Sequence, residues 1–308
     1  MSPTRLAPII VPVFALFAAG LHAAGATEQK MNLGDPSLWL PPVQQQQTLL
    51  PPRAPEPRDA DAATYDRCLG LAKTDPTAAH NLAESWVIHG GAHPAEHCLA
   101  VSLIGLKQYK EGAARLEKLQ QAMIHAPATL RADVLDQAAQ AWLLAGDPGR
   151  AYTADGQALA LRPNDNDLLV DRAEAAGAAG WYDKAIVDLD KALKAAPTRV
   201  DALIFRASAH RALGRLDPAF IDINKALDKS PDSVPALLER GYINAMRGDA
   251  TAARRDWQRV AALDPNGGDG DAAKNNIARL EAAAKNDPDA AAVRTAPAAD
   301  KPKPDKAK

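Results

Sequence analysis

The sequence predicts an all-α chain, an α-solenoid of helix–turn–helix repeats, and three observations carry that prediction. Pro163, Pro197, Pro231 and Pro265 stand 34 residues apart, and Gly146, Gly180, Gly214 and Gly248 keep the same step. Ala151, Ala185, Ala219 and Ala253 form a further column in that period, as do Leu135, Leu169, Leu203 and Leu237. Apolar residues make up 47% of the chain but aromatics only 5%, so alanine and leucine supply the core, which suits close-packed helices rather than sheets. No single helix pair buries its apolar face alone, so stacking of repeats is obligatory.

The chain opens with a different kind of segment. Arg5 is followed by an apolar run from Leu6 to Leu21 and by Ala24-Gly25-Ala26, the small-x-small pattern of a signal peptidase site. Residues 1–26 therefore read as a secretory signal, with Thr27 as the first residue of the exported chain. The run is short for a membrane span and holds Pro8 and Pro12, which weighs against an uncleaved anchor. No cysteine follows the small residues to take a lipid anchor. Export implies a periplasmic or secreted location with no stable membrane anchor.

Residues 27–62 hold seven prolines around the run Gln44–Gln47 and read as an extended, disordered linker. Leu38-Trp39-Leu40 is its apolar cluster, either a docking peptide or an incidental exposed tryptophan. An irregular helical part spans 63–131, with helices at 63–73, 76–89, 93–106 and 109–125. Four regular repeats cover 132–267, with helix pairs at 132–145 and 148–161, 166–179 and 182–195, 200–213 and 216–229, and 234–247 and 250–262. A helix within 268–285 carries Ile277, Leu280 and Ala284 on one face and caps the array. Residues 286–308 are nearly all Ala, Asp, Pro and Lys and read as a disordered tail.

Each column has a physical task. Ala139, Ala173, Ala207 and Gly241, at the eighth position, lie with the alanines of the twentieth where the paired helices cross, so small side chains are required. Glycine at the fifteenth position ends the first helix in a left-handed conformation. Proline at the thirty-second ends the second helix.

This pattern resembles the tetratricopeptide repeat family, closely over 132–265 and loosely over His93–Pro127, where Ala100, Tyr109 and Gly112 fit a degenerate fifth repeat. Residues 63–91 add an irregular helix pair. The family's large aromatics are thin here: Trp142 at the eleventh position is followed in later repeats by Ala176, His210 and Asn244. The resemblance implies a non-enzymatic adaptor with a groove lined by the first helix of each pair. It places Asp133, Asp136, Gln140, Leu143 and Leu144, then Asp167, Val170, Glu174 and Gly177, in that groove. Asp201, Ile204, Ser208 and Arg211, then Leu238, Tyr242, Ala245 and Met246, continue it. The mode in which Lys and Asn grip a terminal carboxylate does not fit, because Asp, Val, Ile and Leu occupy the fifth position. The implied ligand is an apolar or amphipathic peptide or protein segment with basic flanks, drawn by an acidic edge.

Three constellations stand out beside the repeats. Arg172, Arg206 and Arg240 each precede Asp188, Asp222 and Asp256 by 16 residues, a spacing that pairs guanidinium with carboxylate across the two helices of a repeat. His80, His89, His93 and His97 crowd one region beside Cys98, yet Gly90-Gly91 breaks the helix between them, so helix-surface histidines are favoured over a metal site. Cys68 and Cys98 are the chain's two cysteines, and in an exported protein they most simply form a disulfide, worth about 3–4 kcal/mol. Two buried free thiols, or a nucleophile beside a histidine, are the alternatives.

The remaining function classes are constrained by what the sequence carries. Net charge is −2, without a nucleic-acid-binding motif, which argues against nucleic acid as a partner. No haem attachment or redox Cys-x-x-Cys motif, phosphate loop or catalytic triad order is present, so neither an enzyme nor a cofactor is implied. The favoured function is a protein-binding adaptor of the bacterial cell envelope. The alternatives are a metal-handling or enzyme-associated protein using the histidine-rich segment, and an architectural subunit of an envelope complex.

Overall fold

The structure, a computed structural model, describes residues 58–286. The signal, the linker up to residue 57, Leu38-Trp39-Leu40 and the tail from 287 lie outside the described residues. Every regular element among the described residues is an α-helix, and none is long and apolar enough to cross a membrane. The chain divides into two compact units, one ending at Pro197 and the other running from Thr198.

The first unit holds α1 (Arg58–Thr74), α2 (Pro76–Ile88), α3 (Ala92–Gly105), α4 (Tyr109–Ala122), α5 (Ala128–Leu144), α6 (Pro148–Leu161), α7 (Asn166–Ala178) and α8 (Tyr182–Ala195). Each helix packs on the next as far as α8, α1 also touches α3, and α5 reaches α7 directly. The second holds α9 (Val200–Ala212), α10 (Leu216–Lys229), α11 (Val234–Met246), α12 (Ala250–Leu263) and α13 (Gly268–Asn286). Here α9 pairs with α10 and α11 with α12, α9 touches α11, and α13 covers α12 and α11. Two boundaries differ from the sequence reading. Helix α1 starts at Arg58, inside the segment read as linker, and α5 starts at Ala128, where Pro127 supplies an extended N-cap before the repeat proper.

The turns follow from local chemistry. Gly146, Gly180, Gly214 and Gly248 have φ between +71° and +87°, a region in which a Cβ is strained. The residue after each glycine donates its N–H to a carbonyl five residues back: Asp147 to Trp142 at 2.9 Å, Trp181 to Ala176 at 2.8 Å, Arg215 to His210 and Asp249 to Asn244 at 2.9 Å. In the degenerate repeat Lys107 takes this place with φ 62°, and Gln108 completes the same bond to Leu103 at 2.8 Å. The second helices end before the prolines at Arg162, Ala196, Ser230 and Asp264, with φ from −128° to −136° and ψ from 64° to 81°, outside the α region that a following proline disfavours.

The crossings are as tight as small residues allow. Ala139, Ala173, Ala207 and the alanines at 151, 185, 219 and 253 are all at most 2% exposed. Gly241 has its own cause. A Cβ there would lie 2.5 Å from Trp257 Cδ1, whereas the matching partners in the two preceding repeats are the smaller Leu189 and Ile223.

Candidate functional site

The first helices were expected to line a groove, and the structure divides their residues into two groups. The fifth position is buried in every regular repeat: Asp136 is 8% exposed, Val170 2%, Ile204 7% and Leu238 3%. First helices of successive repeats touch, α5 on α7 and α9 on α11, and this position is covered rather than open. Ser208 and Arg211 are buried as well. These six residues, with Gly177, are closed off in the packed helices, which takes them out of the groove expected from the sequence.

The other group remains open. In the first unit Gln140, Leu144 and Asp167 are exposed, and Asp133, Leu143 and Glu174 are half-buried. Asp133 accepts from Arg162 at 2.9 Å, and its carboxyl is raised by burial, an effect Arg162 opposes. In the second unit Asp201 and Met246 are exposed, while Tyr242 and Ala245 are half-buried. Asp201 is gripped by Arg199, with Nε at 2.8 Å from Oδ1, so its charge is already matched. Tyr242 stands edge-on to Trp257, ring centroids 5.6 Å apart, with the Arg211 guanidinium 5.2 Å from its ring centre. Arg211 is fixed there by a buried bond from Nε to Glu239 Oε1 at 2.6 Å.

The Arg–Asp residues meet within each repeat. Arg172 donates to Asp188 at 2.8 and 2.7 Å, Arg206 to Asp222 at 2.7 Å through two nitrogens, and Arg240 to Asp256 at 2.9 and 2.7 Å. The bidentate geometry and near-complete burial of the carboxylates make these structural clamps. Asn244 donates to Asp256 at 3.1 Å and Asn224 accepts from Arg240 at 3.1 Å, extending the last clamp. The first regular repeat has Ala138 and Ala154 at these positions and no clamp.

Asp155 is a residue that the sequence reading did not single out. It sits on α6 at the position of Leu189, Ile223 and Trp257, is 1% exposed, and neither carboxylate oxygen accepts a hydrogen bond. Burial raises its carboxyl well above the usual range, and Asp136, Asp171 and Glu174 push it further in the same direction against the pull of Arg172. Comparing the repeats column by column, where one acid stands among large apolar residues, is the signal that would have found it.

The histidine-rich segment has a structural explanation. His97 is 1% exposed, accepts from the Tyr65 hydroxyl at Nδ1 over 2.8 Å and donates from Nε2 to Gln137 Oε1 at 2.7 Å. Burial lowers it to about 4, opposed by the bond to Gln137, so the ring is neutral at ordinary pH. This corrects its reading as a helix-surface residue. His89 donates from Nδ1 to the Ser85 carbonyl at 2.6 Å, and His80 lies 3.3 Å from Glu84. Among the described residues no group of three or more His, Cys, Asp or Glu is placed to hold a metal ion. Cys68 and Cys98 form a disulfide between α1 and α3, with Cα atoms 6.2 Å apart and both residues fully buried.

Successive 34-residue helix pairs thus share one left-handed glycine turn and one small-residue crossing. The described residues have the fold of a tetratricopeptide repeat solenoid. No protein-family model and no curated protein matches the chain. Among solved structures it is similar to TTC0263, a tetratricopeptide repeat protein of Thermus thermophilus, at 18% identity over 62% of this chain and 100% of that one, with a TM-score of 0.49. It is similar to MamA from Desulfovibrio magneticus at 19% identity over 63% and 98%, with a TM-score of 0.46. A third likeness is to the first such domain of Spaghetti (RPAP3), solved with an HSP90 peptide, at 26% identity over 39% and 93%, with a TM-score of 0.36.

Proposed function

We propose that this protein is a non-enzymatic adaptor of the tetratricopeptide repeat kind that binds a peptide or protein segment on residues left open on its first helices. The observation that carries the reading is the chemistry left accessible there once the buried positions are removed. Half-exposed apolar side chains remain there: Leu143 and Leu144 in the first unit, which also carries the acids Asp167 and Glu174, and Tyr242 and Met246 in the second. Tyr242 is held by Trp257 and Arg211, so little side-chain entropy is lost when it meets a ligand. The clamps and the buried histidine are structural rather than catalytic, which supports a scaffold.

The proposed location is the cell envelope. Its support is the signal-like sequence of residues 1–26 and the buried Cys68–Cys98 disulfide, which suits an oxidising compartment. The binding reading is tested with a photo-crosslinking amino acid placed at Gln140, Tyr242 or Met246, and as controls at the exposed Val187 and Ile221 of the second helices. Crosslinks to a common partner at the first three and not at the controls are the expected result. Crosslinks at Val187 and Ile221 alone would move the site to the opposite helices. The variant carrying Tyr242→Ala and Asp167→Lys should keep its helicity and lose the partner.

A further inference from the structure

The α3–α4 turn and the C-terminal end of α5 bound a cavity of about 380 Å³ in the first unit, a volume within the range of small-molecule sites. Lys107, Gln108, Tyr109, Lys110 and Glu111 line it on one side, and Leu144 and Ala145 on the other. All of these side chains are exposed or half-buried, so the cavity opens to solvent.

Its polar groups are donors without a partner. Among the described residues the side chains of Lys107, Gln108, Tyr109 and Lys110 make no hydrogen bond or ion pair. Glu111, the acid of the lining, is drawn away by Arg115 at 3.6 Å. Two ammonium groups, an amide and a phenol are therefore free to donate opposite an apolar wall of Leu144 and Ala145.

Both lysines stand where the fold gains nothing from them. Lys107 fills a left-handed turn position, φ 62°, that glycine fills in all four regular repeats, so a side chain is kept where its absence costs less. Lys110 lies in the first turn of α4, where the positive end of the helix dipole disfavours a cation. Residues that break a local rule without a structural return are expected at functional places.

We infer that this cavity binds a small organic anion, an anionic group carried on an apolar body. Lys107 and Lys110 receive the anionic group, the Gln108 amide and the Tyr109 hydroxyl add donors, and the body lies on Leu144 and Ala145. An inorganic anion leaves the apolar wall uncovered, and a neutral body leaves both cations unmatched. The inference goes beyond segment binding and does not depend on it.

The test is titration of the isotope-labelled full chain with sodium hexanoate and with hexyl phosphate, one body on two anionic heads, followed by nuclear magnetic resonance. Inorganic phosphate and hexan-1-ol are the controls for charge alone and for body alone. The amphipathic probes should shift the amides of 107–111 and the Leu144 methyls saturably, about ten-fold more tightly than either control. Lys107→Gly gives this turn the residue of the other four and keeps the fold, and Lys110→Gln retains a good helix former. Each should weaken binding about ten-fold through the loss of one charge-assisted contact. A response to one head alone supports the site and fixes the anion it takes. Absence of a saturable shift with both probes overturns the inference, as does equal affinity for a control or unchanged affinity in both variants.

Discussion

Replacing Asp155 by leucine should make the protein more stable, and the structure sets the size of the gain. Removing a buried carboxyl that lacks a hydrogen bond relieves about 1–3 kcal/mol. Burying a leucine there contributes about 1.5–3 kcal/mol, and fitting its extra carbon atoms into a space shaped for aspartate costs about 1–3 kcal/mol. The net expectation is about 2 kcal/mol in favour of the variant. The gain depends on pH in a definite direction. Burial first, then Asp136 on α5 and Asp171 and Glu174 on α7, raise the folded-state carboxyl, with Arg172 on α7 opposing. The unfolded chain titrates at about 3.9. The raised pKa therefore favours the folded state fully below about pH 4, and this advantage is lost as pH rises toward the folded pKa, by at most about 1.4 kcal/mol per pH unit. The margin of Asp155→Leu over wild type should thus be smaller near pH 4 than near neutrality. Urea unfolding followed by far-ultraviolet circular dichroism at both pH values measures it, and hydrogen exchange of α5, α6 and α7 localises it. A leucine variant less stable than wild type at both values, with faster exchange in α6, would refute the claim that Asp155 is buried without a partner.

Arg206→Ala should cost about 3–5 kcal/mol in urea unfolding because it strands the buried Asp222, whereas Arg206→Met with Asp222→Leu should lie close to wild type. Gly241→Ala should lower stability by about 1–3 kcal/mol by driving a methyl group into Trp257, and adding Trp257→Leu should recover much of that loss in a double-mutant cycle. Lys107→Gly should raise the thermal midpoint, since φ 62° is left-handed and relieving it gains about 0.5–1 kcal/mol after the glycine's unfolded-state entropy is subtracted. An unchanged midpoint would show that the turn is relaxed with lysine.

Features set by neighbours along the chain were legible before any packing was known. The glycine and proline columns place the turns because a left-handed φ and a blocked N–H act within one or two residues. The spacing of 16 residues leads to the contacts of Arg172, Arg206 and Arg240 with Asp188, Asp222 and Asp256, because one tight turn leaves a helix pair a single way to align. Which residues of the first helices stay open depends on how the helices pack. Asp136, Val170, Ile204 and Leu238 share a phase that looks ligand-facing in one repeat, and packing of first helix on first helix buries it. It likewise turned His97 inward between Tyr65 and Gln137, residues 32 and 40 positions away along the chain. And it made Asp155 a buried, repelled acid: a carboxylate on a helix reads as solvated until the helices on either side of α6 are in place to exclude the water.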